Sequence, residues 1–173
     1  MLPNPVRAFV AFGANLGDPV AALRRAMSAL GALPETRVTA CSSCYHSAPL
    51  GVPDAQPDYI NAVIALDTGL TPQTLLDALL KIETTGGRRR DTPLAPRPVD
   101  LDLLLHGDTV MRTPTLTLPH PRLRQRAFVL LPLIEIAPDL LIPGIGPLTL
   151  LLETVRDQRI VRMPDTRPSM ALS

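Results

Sequence analysis

The sequence predicts an α+β domain in which strands and helices follow the order β-α-β-β-α-β. Four short apolar segments have the length and alternation of strands, and two others carry apolar residues three and four positions apart, as helices do. The chain has 173 residues, of which 46% are hydrophobic, and this is enough for one compact core. We therefore expect a single domain.

The first half of this pattern is a strand, a helix and a second strand. Residues 6–12 are predicted to form a buried strand, and 13–17 a tight turn that ends it. Asp18 has the residue type of a helix N-cap, and Pro19 suits the first helical position. The stretch 36–46 follows as the second strand.

The second half repeats the same order. Tyr59–Thr68 is a strand rich in Ile, Val and Leu, and Thr71 with Pro72 begins a second helix. After a loop at 88–98, residues 99–106 form a strand in which apolar residues alternate with two aspartates. This order is that of the ferredoxin-like fold, an antiparallel sheet with helices on one face.

The remaining residues add elements beyond these six. They are two short strand-like pieces, a Leu-rich helix, a turn and a last short helix, at about 108–111, 116–118, 122–137, 143–147 and 148–157. The polar, Pro-containing stretch 158–173 is expected to be a flexible tail outside a domain of residues 1–157. The prediction is thus a ferredoxin-like sheet with additional C-terminal helices.

The charge balance excludes a net positive electrostatic field that would attract the whole protein to nucleic acids or anionic membranes. The chain has 17 basic and 16 acidic residues, a formal net charge of +1, so any affinity for phosphate must be local. Its start lacks the pattern of a secretory signal, and no run approaches the roughly 18 apolar residues of a membrane span. We expect a cytoplasmic protein that binds neither nucleic acid nor membrane.

Cys41 and Cys44 have a C-x-x-C spacing. No second such pair and no nearby His pair indicates a zinc site. On a continuous strand the two side chains would face opposite sides, so the pattern favours unpaired structural thiols in a reducing compartment.

Asp100 and Asp102 are the sharpest chemical feature of the sequence. Residues i and i+2 of a strand share a face, so both carboxylates point the same way with Cα atoms about 7 Å apart. Such a pair can hold two divalent cations side by side against phosphate oxygens. An isolated D-x-D is more often a solvated strand face. Four preceding arginines favour a nucleotide-phosphate site instead. They are Arg88, Arg89, Arg90 and Arg97.

His120 lies between Pro119 and Pro121, which would hold its imidazole in a fixed, exposed loop position. Arg126 follows about one helical turn later. A lone His is usually structural, so this pattern by itself leaves its role open.

Seven short segments form a recognisable set when they are taken in order. They are Phe12-Gly-Ala-Asn-Leu-Gly17, Tyr45-His-Ser-Ala-Pro-Leu-Gly51, Gln56-Pro-Asp-Tyr-Ile-Asn61, Ile82-Glu83, Gly87-Arg-Arg-Arg90, Pro96-Arg-Pro-Val-Asp-Leu-Asp102 and Pro119-His-Pro-Arg-Leu-Arg-Gln-Arg-Ala-Phe128. In this order and spacing they resemble the blocks of the pterin pyrophosphokinase family, over about residues 8–147.

The resemblance implies an enzyme of folate biosynthesis. Such an enzyme transfers pyrophosphate from ATP to the hydroxymethyl group of 6-hydroxymethyl-7,8-dihydropterin and releases AMP. The resemblance also implies a ferredoxin-like fold, in agreement with the element order, and two Mg²⁺ ions held by Asp100 and Asp102. The expected partners are the two small molecules, and the expected state is a monomer.

The resemblance further assigns residues to each substrate. The pterin pocket would be lined by Ser47, Ala48, Leu50, Tyr59, Asn61 and Phe128, the last as an aromatic wall. The ATP contacts would be Arg88, Arg90, Arg97, His120 and Arg126. The catalytic set would be Arg88, Arg97, Asp100 and Asp102, the arginines stabilising transition-state charge. An amide at Asn61 suits a pterin edge because it both donates and accepts.

Three alternatives stay open at this point. An RNA-binding module would need exposed aromatic residues on the sheet, but aromatic residues are only 3% of the chain. A catalytically weakened binding protein is suggested by Ala14, where the family turn usually has Ser, and by the absence of Trp; the retained aspartates and arginines argue against it. A D-x-D sugar-nucleotide transferase would usually need a larger nucleotide-binding domain.

Overall fold

The computed structural model describes residues 4–47, 58–86 and 99–170. In these residues the strands are β1 (Val6–Ala14), β2 (Thr36–Cys41), β3 (Tyr45–Ser47), β4 (Tyr59–Thr68), β5 (Asp100–His106), β6 (Met111–Arg112), β7 (Thr117–Leu118), β8 (Leu141–Ile142), β9 (Gly146–Pro147) and β10 (Ile160–Arg162). The α-helices are α1 (Pro19–Gly31), α2 (Pro72–Thr85) and α3 (Ala127–Ile136), and Leu123–Gln125 and Leu148–Val155 are 3-10 helices. None of the helices in this part of the chain is long and apolar enough to cross a membrane.

The main sheet is antiparallel and confirms the predicted fold class. Strand β1 lies between β4 and β5, while β2 and β3 both pair with the far edge of β4. Each β-α-β unit is therefore split by a strand of the other unit, as in the ferredoxin-like fold. Strand β10 pairs with β3 and extends the sheet by one strand.

Helices cover both faces of the sheet. α1 and α2 pack on one face, against residues such as Val10 and Ile64. The predicted additional C-terminal helices, α3 and the 3-10 helix Leu148–Val155, pack on the other face over Phe9 and Leu104. An RNA-binding module that stacks bases on an open sheet face is therefore not supported by this architecture.

Both predicted helix starts are confirmed by their caps. Asp18 accepts a hydrogen bond from the backbone N–H of Ala21 at 3.1 Å, and Thr71 accepts one from Thr74 N–H at 3.2 Å. Each cap is followed by Pro at the first helical position, where the missing N–H costs nothing.

The predicted strand over 36–46 is wrong in its middle, because residues 42–44 leave the strand between β2 and β3. The alternation of side chains between the two faces of the strand does not continue across this break. Cys41 and Cys44 consequently lie in the same core, between the sheet and α1, rather than on opposite sides. Both thiols are free and buried, and burial raises the pKa of Cys41 to about 12. They are unreactive structural thiols at neutral pH.

Two further expectations about where regular elements begin and end differ from the structure. The predicted turn over 13–17 is shorter, because β1 continues to Ala14. The predicted helix over 122–137 is interrupted at Arg126, which is extended with φ −124° and ψ 107°. The Gln158 side chain stabilises this break, since it accepts from Ala127 N–H at 2.8 Å and donates to the Gln125 carbonyl at 2.6 Å.

The segment 158–173, which was expected to be a flexible tail, contains a short strand, since Ile160–Arg162 forms β10. The physical reason is that β3 has an open edge beside it. Backbone donors and acceptors on that edge find partners when the C-terminal residues pair with it.

Candidate active site

A cleft of about 1070 Å³ opens where β1 ends and β4 and β5 begin. It extends from the sheet face that carries α3, round the edge strand β5, to α2, which adds residues such as Leu80 and Glu83 to its lining. Eight of the predicted site residues line it, and they are Ser47, Tyr59, Asn61, Asp100, Asp102, His120, Arg126 and Phe128. The other predicted site residues lie outside the described part of the chain, and they are Ala48, Leu50, Arg88, Arg90 and Arg97.

Gly13 sets the spacing across the floor of this cleft. It pairs with Asn61 on one neighbouring strand and with Asp100 on the other. With strands about 4.8 Å apart, Asn61 and Asp100 are separated by roughly 10 Å across the sheet. A Cβ atom added to Gly13 would lie 3.4 Å from Asn61 Oδ1 and 4.0 Å from Tyr59 Cδ1. The absence of a side chain here keeps the space between the two functional groups open.

On one side of Gly13, Asn61 and Ser47 form a buried polar pair. Asn61 Nδ2 donates to Ser47 Oγ at 2.7 Å and to the Tyr45 carbonyl at 3.3 Å. Both amide hydrogens are thereby used, and the pair can offer a ligand the Asn61 Oδ1 acceptor and the Ser47 hydroxyl donor. Both donors of the Asn61 amide are thus occupied within the protein, and the Ser47 hydroxyl is the donor of the pair that is left for the cleft.

On the other side of Gly13, Asp100 and Asp102 face the cleft while Leu101 and Leu103 are buried. This alternation confirms the predicted common face of the two carboxylates. Asp102 Oδ2 lies 3.8 Å from Arg126 Nη1, with 36% and 24% of the respective side chains exposed. A partly exposed pair at this distance stabilises by less than about 1 kcal/mol, so a stronger ligand can displace it.

Arg126 joins the two sides of the cleft. Its guanidinium carbon lies 5.4 Å from the centroid of the Phe128 ring, within the range of a cation–π contact, and its Nη1 lies 3.8 Å from Asp102 Oδ2. The extended backbone at Arg126 places its side chain beside both Asp102 and Phe128. The predicted ATP contact thus lies between the predicted metal ligands and the predicted pterin wall.

The carboxylate pair fits a metal ion that is held together with a substrate. No group of three or more His, Cys, Asp or Glu side chains in the described ranges could hold a metal by itself. Mg²⁺ is typically bound by one or two carboxylates, with phosphate oxygens and waters completing its shell. Asp100 and Asp102 therefore suit Mg²⁺ that accompanies a polyphosphate.

Glu83 is a cleft residue to which sequence reasoning gave no role of its own. It is 1% exposed, and its Oε2 accepts from Leu101 N–H at 3.2 Å. Because Leu101 stands between the two aspartates, Glu83 fixes the backbone of the strand that carries them. The sequence does mark this residue. Glu83 follows Leu75 by eight positions and Leu79 by four, so it falls on the buried stripe of α2, where acidic side chains are rare.

His120 is partly buried rather than exposed as expected. Its backbone N–H donates to the Leu104 carbonyl at 2.9 Å, and its Nδ1 accepts from Arg122 N–H at 3.1 Å. Burial, followed by the charges of Arg126 and Arg122, lowers the pKa of His120 to about 4, although Asp100 opposes this shift. The imidazole is therefore neutral at pH 7 and carries its hydrogen on Nε2.

We expect His120 to titrate near pH 4 in the ligand-free protein. Its folded pKa lies below the unfolded value of about 6.5, so the stability it contributes is present above pH 6.5. This stability is lost as the pH falls from about 6.5 towards 4, because only the unfolded chain gains the proton there. NMR titration of the imidazole, assigned with a His120→Gln variant, measures the pKa. A midpoint near 6.5 would contradict the prediction.

Comparison with known proteins gives the same family along most of the chain. The profile of the 7,8-dihydro-6-hydroxymethylpterin-pyrophosphokinase (HPPK) family matches residues 9–138. The 2-amino-4-hydroxy-6-hydroxymethyldihydropteridine pyrophosphokinase of Pseudomonas aeruginosa is 46% identical over 158 residues, which are 91% of this chain and 97% of that protein. The protein of the same name from Haemophilus influenzae is 40% identical over 91% of this chain and 98% of its own length.

Solved structures share the fold. The wild-type HPPK-DHPS of Plasmodium falciparum, crystallised with pteroate, superposes with a TM-score of 0.69 at 12% identity. The superposition covers 87% of this chain and 44% of that chain, so this chain spans less than half of the longer protein. At this identity the likeness concerns the fold alone. The family match and the two close relatives go further, and they show that this chain belongs to the 7,8-dihydro-6-hydroxymethylpterin-pyrophosphokinase family.

Proposed function

We propose that the chain transfers the pyrophosphoryl group of ATP to the hydroxymethyl oxygen of 6-hydroxymethyl-7,8-dihydropterin and releases AMP, as a step of folate biosynthesis. One observation carries the proposal. A single cleft presents a buried amide–hydroxyl pair and an aspartate pair, and Gly13 separates the two by about the width of two strand spacings. Family membership supports the same substrates.

The pterin binds on the Asn61 side of the cleft. Asn61 Oδ1 accepts from an N–H group on the pterin edge, and the Ser47 hydroxyl donates to a ring acceptor. Phe128 and Tyr59 offer aromatic surfaces that line the cleft. Outside the described residues, Ala48 and Leu50 complete this pocket.

ATP binds on the aspartate side, and Asp100 and Asp102 hold two Mg²⁺ ions against its phosphates. When bound, these ions would supply positive charge that neutralises the phosphates. Arg126 exchanges its weak pairing with Asp102 for a phosphate oxygen, which is the stronger partner. The His120 Nε2–H is a neutral donor for the nucleotide. The remaining phosphate contacts are Arg88, Arg90 and Arg97.

In the reaction the hydroxymethyl oxygen forms a bond with the β-phosphorus of ATP. The bond between that phosphorus and the oxygen bridging to the α-phosphate breaks, and AMP leaves with this oxygen. The hydroxyl proton passes to solvent, since no described side chain is assigned as a general base. Arg88 and Arg97 stabilise the charge that develops in the transition state. Positioning and electrostatics carry most of the rate enhancement.

We also propose that the protein works as a monomer in the cytoplasm. Cys41 and Cys44 are free thiols, as is usual in a reducing compartment.

The decisive experiment mixes the protein with MgATP and the pterin alcohol and separates the products by chromatography. We expect equal amounts of AMP and pyrophosphorylated pterin. The matched control is 6-methyl-7,8-dihydropterin, which lacks the attacking hydroxyl and should yield neither product. Formation of ADP instead of AMP, or AMP release that does not depend on the hydroxyl, would overturn the proposal. Binding of both substrates without AMP would favour the weakened binding protein.

A further inference from the structure

Residues 158–166 contact both halves of the candidate site from outside the cleft. They lie beyond the part of the chain that matches the family profile, which ends at residue 138. They also do not line the cleft. Their contacts nevertheless reach the backbone on either side of Arg126 and the strand that carries Ser47.

The first contact holds the conformation of Arg126. The Gln158 side chain bridges the Gln125 carbonyl and the Ala127 N–H, at 2.6 and 2.8 Å. These two backbone groups flank the one extended residue between the 3-10 helix and α3. Without partners, they would favour a continuous helix, which would turn the Arg126 side chain away from Asp102 and Phe128.

The second contact holds β3 through Arg162. In the sheet, Arg162 of β10 is paired with Tyr45 of β3. The Arg162 Nε atom lies 3.3 Å from both Glu135 Oε1 and Ser43 Oγ. Glu135 in turn accepts from Ser43 N–H at 2.6 Å and from the Tyr45 hydroxyl at 2.9 Å. The ion pair therefore fixes the carboxylate that anchors the start of β3 to α3.

The Tyr45 hydroxyl stays a donor in this network at any physiological pH. Burial, followed by its hydrogen bond to Glu135, raises the pKa of Tyr45 to about 12. The Tyr45 carbonyl on the same strand accepts from Asn61 Nδ2. The position of β3 therefore decides where the Asn61–Ser47 pair offers its acceptor and its donor.

Backbone bonds to Cys44 complete the attachment. Cys44 N–H donates to Thr166 Oγ1 at 2.9 Å, and the Cys44 carbonyl accepts from Met163 N–H at 2.8 Å. Residues 42–44 have left the strand, so these groups depend on the C-terminal residues for partners.

We propose that residues 158–166 are a positioning segment with two separable actions. Gln158 positions Arg126 for the nucleotide, and β10 with Arg162 positions Tyr45–Ser47 for the pterin. The inference rests on the proposed function, because it assigns one substrate to each half of the cleft.

The test compares Gln158→Met with Arg162→Ala in the full-length protein. Gln158→Met keeps the side-chain length but removes both hydrogen bonds, and it should lower kcat/KM for ATP about tenfold. It should leave the Kd of the pterin alcohol, measured by calorimetry with a nonhydrolysable MgATP analogue present, within about twofold. Arg162→Ala should do the reverse, raising that Kd about fivefold with kcat/KM for ATP nearly unchanged.

Two control variants separate positioning from general stability. Arg37→Ala removes the ion pair between Arg37 and Asp67 at the far end of β4. This pair matches that of Arg162 with Glu135, since both are 3.3 Å long and both carboxylate side chains are 17% exposed. Arg159→Met introduces Met at the exposed position next to Gln158, so it matches Gln158→Met in the residue that is introduced. Both controls should leave both substrate parameters within about twofold, even where the melting temperature falls.

A readout without substrates tests the second action directly. Hydrogen exchange at the Ser43 amide, which donates to Glu135, should speed up in Arg162→Ala and not in Gln158→Met. If the two variants shift the same substrate parameter, or neither differs from its control, the positioning role is refuted. A wild-type protein that makes no AMP would refute the proposed function instead, so the two failures are distinguishable.

Discussion

The variants Asp100→Asn and Asp102→Asn are expected to turn over at least about 100-fold more slowly than the wild type, a loss of roughly 3 kcal/mol of transition-state stabilisation. Asn keeps the size of the side chain but removes the negative charge that attracts Mg²⁺. In the structure the two carboxylates share one face of β5, and Glu83 holds the backbone between them. Loss of either charge should therefore act on metal binding and leave the strand in place.

Steady-state AMP release at saturating MgATP measures this effect, and calorimetry with a nonhydrolysable MgATP analogue shows whether metal-nucleotide binding weakens in parallel. Asp108→Asn is the matched control, because Asp108 is an exposed aspartate just beyond the same strand and does not line the cleft. It should retain wild-type turnover. Near-normal turnover in both site variants would remove the basis for the metal assignment.

The elements that the sequence predicted well are those with local signals. Strand β4 has the predicted bounds, and both helix starts follow from an N-cap followed by Pro. The common face of Asp100 and Asp102 follows from the two-residue period of a strand. All of these depend on residues within a few positions of each other.

The elements that were wrong depend on distant partners. The break at 42–44 is stabilised by Glu135 and Thr166, which are 92 and 122 positions away from the groups they bind. The break at Arg126 depends on Gln158, 31 to 33 positions away. Neither break contains Gly or Pro to mark it. The polar segment that was expected to be a tail supplies Thr166 to the first break and Gln158 to the second, so both errors have one origin in common.

The candidate site shows the same division. The residue types of its two halves are visible in the sequence, but the pairing of Asn61 with Ser47 depends on the register between β3 and β4. The spacing between Asn61 and Asp100 depends on a third strand, since Gly13 lies between them. Strand register and sheet order are long-range properties, and a pattern along one strand does not contain them.

Gly13→Val is expected to lower kcat/KM for the pterin about 100-fold, near the upper end of the 1–3 kcal/mol that intruding methyl groups cost in a packed site. The new Cβ would lie 3.4 Å from Asn61 Oδ1, and the methyl groups beyond it would enter the space between Asn61 and Asp100. Gly13 is absent from the residues with positive φ, so the backbone accepts a side chain without strain.

The comparison of Gly13→Ala with Gly13→Val makes the test specific. Val favours a strand more than Gly does, so the melting temperature should not fall, and lost activity then reflects an obstructed cleft. Ala adds only the Cβ, in ordinary van der Waals contact with Asn61, and should lose less than about tenfold. The new Cβ contacts Asn61 and Tyr59 but neither aspartate. The Kd of a nonhydrolysable MgATP analogue should therefore stay nearly unchanged in the Ala and Val variants. A Val variant with normal pterin kinetics would show that the pterin does not lie over Gly13, and the assignment of the Asn61 side to that substrate would fail.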